Sequence, residues 1–327
     1  ALCYDVATGE LLWDRPLFVA PEERKYEKNS YATPTPCSNG ELVFADFGSG
    51  YACLDRDGDV RWVRTKDDYH EFTRYGAATS PVLVGDDTIV LLHEAESGRG
   101  TSYLMALDFA SGDVKWRKEY PKNIDSYTTP ILVEREGETQ LVTASFHRVI
   151  GYDVSNGEEL WSVPTRIGQM VPSIQYRGDL ILVSGGTHGA VQTLAIRLRG
   201  SGADTTAETV WTSRRAVPAI SSPVWVGDVL VTVTDGGIVT CYDPETGDKH
   251  WQERLDGMFW SSLVADDSKV YLFTVDGLVY VIRGGPEYEV LHTADFDTRI
   301  QATPAIAGGR LYVRTEGEIL SFGSSIE

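Results

Sequence analysis

No apolar run reaches the roughly 18 residues needed to cross a bilayer as a helix, so the 327 residues contain no candidate transmembrane helix. Cysteine is scarce, with four in the chain. Cys3, Cys53 and Cys241 fall in one recurring slot of different repeats and Cys37 has no obvious mate, which predicts small buried side chains rather than a disulfide framework. Bases are in deficit: 29 Lys and Arg stand against 48 Asp and Glu, a formal charge of −19. That charge repels phosphate backbones and argues against a nucleic-acid partner. Sustained 3.6-residue periodicity is missing, so helices are expected to be few. Neither a His-Glu-x-x-His helix, a Gly-x-Ser-x-Gly elbow nor a phosphate-binding glycine loop occurs, and the histidines lack metal-ligand spacing.

One phrase is repeated instead. Tyr242-Asp243-Pro244-Glu245-Thr246-Gly247-Asp248-Lys249-His250-Trp251 returns as Tyr4-Asp5 to Trp13, Leu54-Asp55 to Trp62, Leu107-Asp108 to Trp116 and Tyr152-Asp153 to Trp161, with Trp always four residues after Gly. A degraded copy between Ile196 and Trp211 carries an insertion, and another around Val281–Leu291 has lost its Trp. Alternating apolar residues up to the Asp predict a strand, the Gly supplies a hairpin turn, and the Trp lies on the returning strand. Before the Tyr or Leu stands a small residue (Cys3, Cys53, Ala106, Gly151, Cys241), which makes room for an indole.

A second phrase precedes each copy: Ala32-Thr33-Pro34, Thr79-Ser80-Pro81, Thr128-Thr129-Pro130, Val171-Pro172-Ser173, Ser221-Ser222-Pro223, Ser261-Ser262-Leu263 and Ala302-Thr303-Pro304. A short apolar run, a polar turn and a β-branched run follow each, giving four antiparallel strands per repeat, lettered A to D. Seven such repeats predict an all-β fold, a β-propeller of four-stranded blades. The blades are expected near 31–62, 77–116, 127–161, 170–211, 220–251, 260–291 and 301–322, the last closed by residues 1–17 within a single domain over 1–327. Closure by the N-terminal D strand, Glu10–Arg15, removes open edges. Leu2–Asp5, however, reads as a second C strand, so eight blades in a longer protein is the alternative. The chain opens directly on a repeat strand; no signal peptide is visible, and a processed or truncated N-terminus is expected.

The phrase of small residue, Asp, Thr-Gly and Trp resembles the pyrroloquinoline quinone (PQQ) repeat of quinoprotein-type propellers, over essentially the whole chain. The non-enzymatic, BamB-like branch is the nearest in kind. The resemblance implies that Trp13, Trp62, Trp116, Trp161, Trp211 and Trp251 dock between neighbouring blades, and it implies a periplasmic or secreted setting in a bacterial envelope. Quinoprotein dehydrogenases of this family add a calcium site, a catalytic Asp and an adjacent-cysteine disulfide. This sequence has no Cys-Cys pair and no matching active-site segment, so no catalytic residue, cofactor or metal is assigned, and PQQ remains the alternative.

The topology sorts the loops onto two ends. A–B and C–D turns are crowded with carboxylates, Asp55, Asp57, Asp59, Asp86, Asp87 and Asp228 among them. Asp55-Arg56-Asp57-Gly58-Asp59 resembles the start of a calcium loop, but Val60 and Lys66 stand where Gly and Glu are required, so a hairpin turn is expected. D–A connections and B–C turns carry bases and aromatics instead. Arg74, Tyr75, Tyr31, Tyr127, Arg166, Arg215, Trp260, Arg299, His147 and His188 are the candidate recognition residues. Two readings follow: these bases pair with Asp67, Asp68, Glu71, Asp125, Asp256, Asp295 and Asp297 in the same loops, or they form a recognition face for an anionic ligand or acidic peptide. The longer segments 18–30, 93–102 and 197–209 are the second place to look for function. The expectation is a monomeric, non-catalytic platform for a protein or peptide partner; the alternatives are a quinone-dependent dehydrogenase and a propeller binding a small anion.

Overall fold

The computed structural model describes residues 1–20, 25, 33–65, 76–93, 101–119, 126–145, 147–187 and 190–323. Among them the fold is all-β, a propeller of seven antiparallel blades, with one short 3-10 turn at Gly202–Asp204. No helix of the described residues is long and apolar enough to cross a membrane.

The chain divides into two compact units, Ala1–Ser145 with Ile150–Trp161, and Phe146–Val149 with Ser162–Glu327. In the first unit, blade 1 runs Cys37–Ser38, Leu42–Asp46, Gly50–Asp55 and Val60–Thr65, and blade 2 runs Val82–Val84, Thr88–His93, Tyr103–Asp108 and Val114–Glu119. Blade 3 comprises Ile131–Arg135, Glu138–Ser145, Arg148–Asp153 and Glu159–Pro164, mostly in this unit. The second unit carries blade 4 (Gln175–Arg177, Leu180–Gly185, Gln192–Arg199, Thr206–Ser213) and blade 5 (Val224–Val226, Val229–Val233, Ile238–Tyr242, Lys249–Arg254). It also carries blade 6 (Val264–Ala265, Lys269–Phe273, Leu278–Arg283, Val290–Asp295) and blade 7, three strands at Ala305–Ala307, Arg310–Arg314 and Ile319–Phe322. The sequence assigns Glu10–Arg15 to that seventh blade; the observed strand is Leu11–Asp14, and its hydrogen-bonded partner among the described strands is Leu2–Tyr4, with which it forms a two-stranded sheet.

B and C strands are the most buried, since each is flanked by strands on both edges and covered on both faces. Their apolar side chains form the cores between blades, such as Phe44, Tyr51 and Cys53 against Ile89, Leu91, Met105 and Leu107. Among the described residues the C strand of blade 7 has no D strand beside it, and its Ile319 and Phe322 are exposed.

The recurring phrases explain the joints. The small residue of each C strand lies directly across from the Trp of its own D strand: Cys3 from Trp13, Cys53 from Trp62, Ala106 from Trp116, Ala195 from Trp211 and Cys241 from Trp251. Each pairing sits beside a β-bulge, which re-aims the indole. The indole N–H then donates into the following repeat. Trp13 reaches Arg56 O at 3.1 Å, Trp62 Phe109 O at 2.9 Å, Trp116 Val154 O at 3.2 Å, Trp211 Pro244 O at 2.7 Å and Trp251 Gly285 O at 3.0 Å. Under Trp13, Trp62, Trp116 and Trp211 lies the turn glycine of that repeat, so that a methyl on Gly112 would stand 2.8 Å from Trp62. Trp161 differs: it packs on Gly151 across its own ladder and donates to Gln140 Oε1 at 2.8 Å.

The Ser/Thr phrase makes a second joint. Backbone N–H groups donate from Thr35 to Ser80 Oγ and from Ser80 to Thr129 Oγ1 in the first unit, each at 3.0 Å. In the second they run from Ser173 to Ser222, Ser222 to Ser262 and Ser262 to Thr303, at 2.9 to 3.1 Å. The slot in the first repeat is therefore Thr35-Pro36, two residues beyond the Thr33-Pro34 that the sequence suggests.

Candidate functional site

The Asp of each repeat belongs to the turn. Asp55 Oδ1 accepts the backbone N–H of Asp57 at 3.0 Å and of Asp59 at 2.9 Å, and its Oδ2 pairs with Arg61 at 2.9 Å. The Asp59 N–H first, and Arg61 after it, hold this carboxyl below the usual range against its desolvation. Asp108, Asp153 and Asp243 cap their turns in the same way, through Ser111, Ser155 and Glu245 N–H. The indoles are bonded to carbonyls and these carboxylates to backbone N–H groups, so the recurring residues are engaged within the fold.

Ion pairs gather at the A–B and C–D end of the blades: Arg64–Asp113, Lys115–Asp87, Arg177–Asp228, Arg197–Asp179 and Lys269–Asp266, at 3.2 to 3.7 Å. At the opposite end the second unit presents Arg166, Arg214, Arg215, Arg254 and Arg299, all exposed. Among the described residues none of these five is ion-paired; Arg254 donates to Gly236 O at 2.9 Å. Asp256, Asp295 and Asp297 share these loops but do not neutralise them. The connections are tied to the turns beside them by backbone hydrogen bonds, Phe259 N to Asp235 O, Val275 N to Met258 O, Ile300 N to Val275 O and Glu316 N to Arg299 O, at 2.8 to 3.1 Å. The arginines thus project from a braced surface.

A model of the family described as "Outer membrane protein assembly factor BamB" matches residues 1–201 and 199–285. The chain belongs to this family. No curated protein matches the sequence. Among solved structures, BamB from Moraxella catarrhalis is similar with a TM-score of 0.64 at 14% identity, over 86% of this chain and 81% of that one. Saccharomyces cerevisiae Sqt1 gives 0.62 at 11% identity over 88% and 82%, and the C-terminal WD40 domain of Sif2 gives 0.63 at 13% over 88% and 80%. At these identities the likenesses show the fold.

Within this BamB-family chain the candidate residues separate. Arg74, Tyr75, Tyr31 and His188 lie outside the described residues. Tyr127 and Trp260 are half-buried, whereas Arg166, Arg215, Arg299 and His147 are exposed. His93, the last residue of the B strand of blade 2, is buried between blades 1 and 2, bonded to the Tyr51 hydroxyl and stacked on Tyr103 at 4.4 Å. The structure adds Gln192, a buried amide that accepts the backbone N–H of Arg166 at 3.2 Å. Its position at the start of a C strand opposite a D–A connection is a tertiary fact, without a signal in the local sequence.

Proposed function

We propose that this BamB-family propeller is a non-catalytic binding platform for protein or peptide partners, working in a bacterial envelope and engaging them through its D–A and B–C end. The observation that carries the reading is the division of labour between the two ends. Carboxylates and bases pair with one another beside the C–D turns, while five arginines at the other end have no carboxylate partner among the described residues. Charged groups held by a braced backbone and left unpaired are the form that recognition takes at an interface rim. Neither PQQ nor a metal has a part in this reading.

Photo-crosslinking residues placed at Arg215, Arg254 and Arg299, and separately at Asp57 and Glu245, test it in envelope extracts. Discrete protein adducts are expected from the first set and not the second. Adducts from the C–D turns alone, or dye-linked alcohol oxidation by protein supplied with PQQ, would overturn it.

A further inference from the structure

The two connections flanking blade 4 meet at one buried side chain. Gln192 opens strand C of that blade, and its Oε1 accepts the backbone N–H of Arg166 from the connection leading into the blade. On the next strand Thr193 pairs with Ser213, the last residue of strand D, so Arg214 stands across from Gln192. Neighbouring strands lie about 4.8 Å apart; Arg166 and Arg214 therefore rise from backbone on either side of Gln192. His147 joins the Arg166 side, its N–H donating to Ile167 O at 3.0 Å while its carbonyl accepts Thr165 N–H at 2.7 Å.

Backbone strain gathers at the same place. His147 has φ 66° and Ala216, directly after Arg215, has φ 52°. A left-handed conformation costs a residue with a Cβ about 1–2 kcal/mol, and strain of this kind clusters at ligand-holding sites.

The charge is one-sided. Neither 165–173 nor 213–223 contains Asp or Glu. The carboxylate of the adjoining turn, Asp235, accepts the N–H of Ala219 at 3.4 Å, and burial pushes its pKa up, towards the neutral form. Three exposed arginines and a histidine thus stand together on a protein whose net charge is −19.

We propose that this end of blade 4 docks an acidic protein segment, with Arg166 on one side and Arg214 and Arg215 on the other taking successive carboxylates. The complementarity of charge names the occupant: in an extended segment, carboxylates two residues apart lie about 6.5–7 Å apart, a spacing suited to guanidinium groups rising from separate strands. The proposal rests on the platform reading and narrows it to one patch and one chemistry.

The test uses the full chain and a fluorescein-labelled dodecapeptide with Glu at alternate positions, followed by anisotropy at low and physiological salt. Binding is expected, weakened by salt and by about tenfold or more in an Arg166→Glu/Arg215→Glu variant. Arg56→Glu, an exposed base in a C–D turn at the other end of the blades, is the control and should leave affinity within about twofold. The structural contact of Arg166 is made by its backbone, so an unchanged melting temperature is expected and certifies the double variant. No binding by the wild type, equal loss with Arg56→Glu, or full competition by inorganic phosphate or an RNA oligonucleotide would each overturn the proposal. Loss of peptide binding alongside surviving cross-links at Arg254 and Arg299 would sink the acidic segment and leave the platform standing. Loss of both would remove both.

Discussion

Gly112→Ala adds one methyl group where φ is +74° and where the Trp62 ring lies 2.8 Å from the new atom. Two penalties follow. The left-handed backbone costs about 1–2 kcal/mol for a residue with a Cβ, and forcing the indole aside costs about 1–3 kcal/mol as overpacking. Gly85 isolates the first penalty: its φ is +57° and nothing lies within 4 Å of its own missing methyl. Gly85→Ala is therefore expected to cost about 1–2 kcal/mol and Gly112→Ala about 2–5 kcal/mol. Trp62→Ala alone should cost about 3 kcal/mol, the low end for a large side chain because this one is half-buried, including its bond to Phe109 O. Once the ring is gone, Gly112→Ala loses its steric part and adds only the backbone penalty. A double-mutant cycle, read by urea unfolding under far-UV circular dichroism, should then give a coupling of about 1–3 kcal/mol. Equal costs for Gly112→Ala with and without Trp62, or a cost no greater than that of Gly85→Ala, would refute the role given to this glycine.

Three further outcomes are expected. Ser222→Ala removes the acceptor for both the Ser173 N–H and the Ser262 hydroxyl, each at 2.9 Å; it should cost about 1–3 kcal/mol and speed exchange of the Ser173 amide, while Ser222→Thr should not. Gln140→Leu strands the buried Trp161 indole N–H at a similar cost of about 1–3 kcal/mol, visible as a shifted indole proton resonance and a lower unfolding midpoint. Asp46 is buried, which raises its pKa from 3.8 to about 7 against the Gly48 N–H that its carboxylate accepts. The native state keeps this proton to about pH 7 while the unfolded chain releases it near 3.8, so this group's contribution to stability is present below that window and is lost as pH rises through it. Asp46→Asn should flatten the dependence, raising the melting temperature more at about pH 8 than at about pH 5.

The strands, turns and repeat number were legible because each repeat writes them locally: an alternating run, an Asp and Gly at the turn, a Trp four residues on. What was hidden involves the neighbouring strand or blade. The bulge beside Trp13, Trp62, Trp116, Trp211 and Trp251 appears only in the C–D ladder, and it persists between Val281 and Ile282, where the Trp has been lost. Gly112 reads as a turn residue, yet its missing Cβ also seats an indole from 50 residues earlier. Thr33 and Thr35 are indistinguishable by sequence; the partner on Ser80 selects the second. Among the charges, position relative to the turns was readable from topology, but whether Arg166 or Arg299 found a carboxylate depended on side chains from other loops.

Blade 4 departs from the repeat at both of its ends. Arg197 and Ala207 stand where the repeat places its Asp and its Gly, and the hairpin extends to Arg199 and Thr206 around Gly202–Asp204. Trp161, whose counterparts donate to the turn of the following repeat, bonds within its own sheet. A repeat that must seat a neighbour's indole cannot change its turn without loss of that joint, as the Gly112 prediction makes concrete. Where the indole points elsewhere, that constraint is absent and the hairpin is free to lengthen. At the other end of the same blade, Gln192 holds Arg166 in a connection without carboxylates. Sequence departures in a propeller thus fall where packing between blades no longer dictates the residue, and an interaction surface has most freedom to form there.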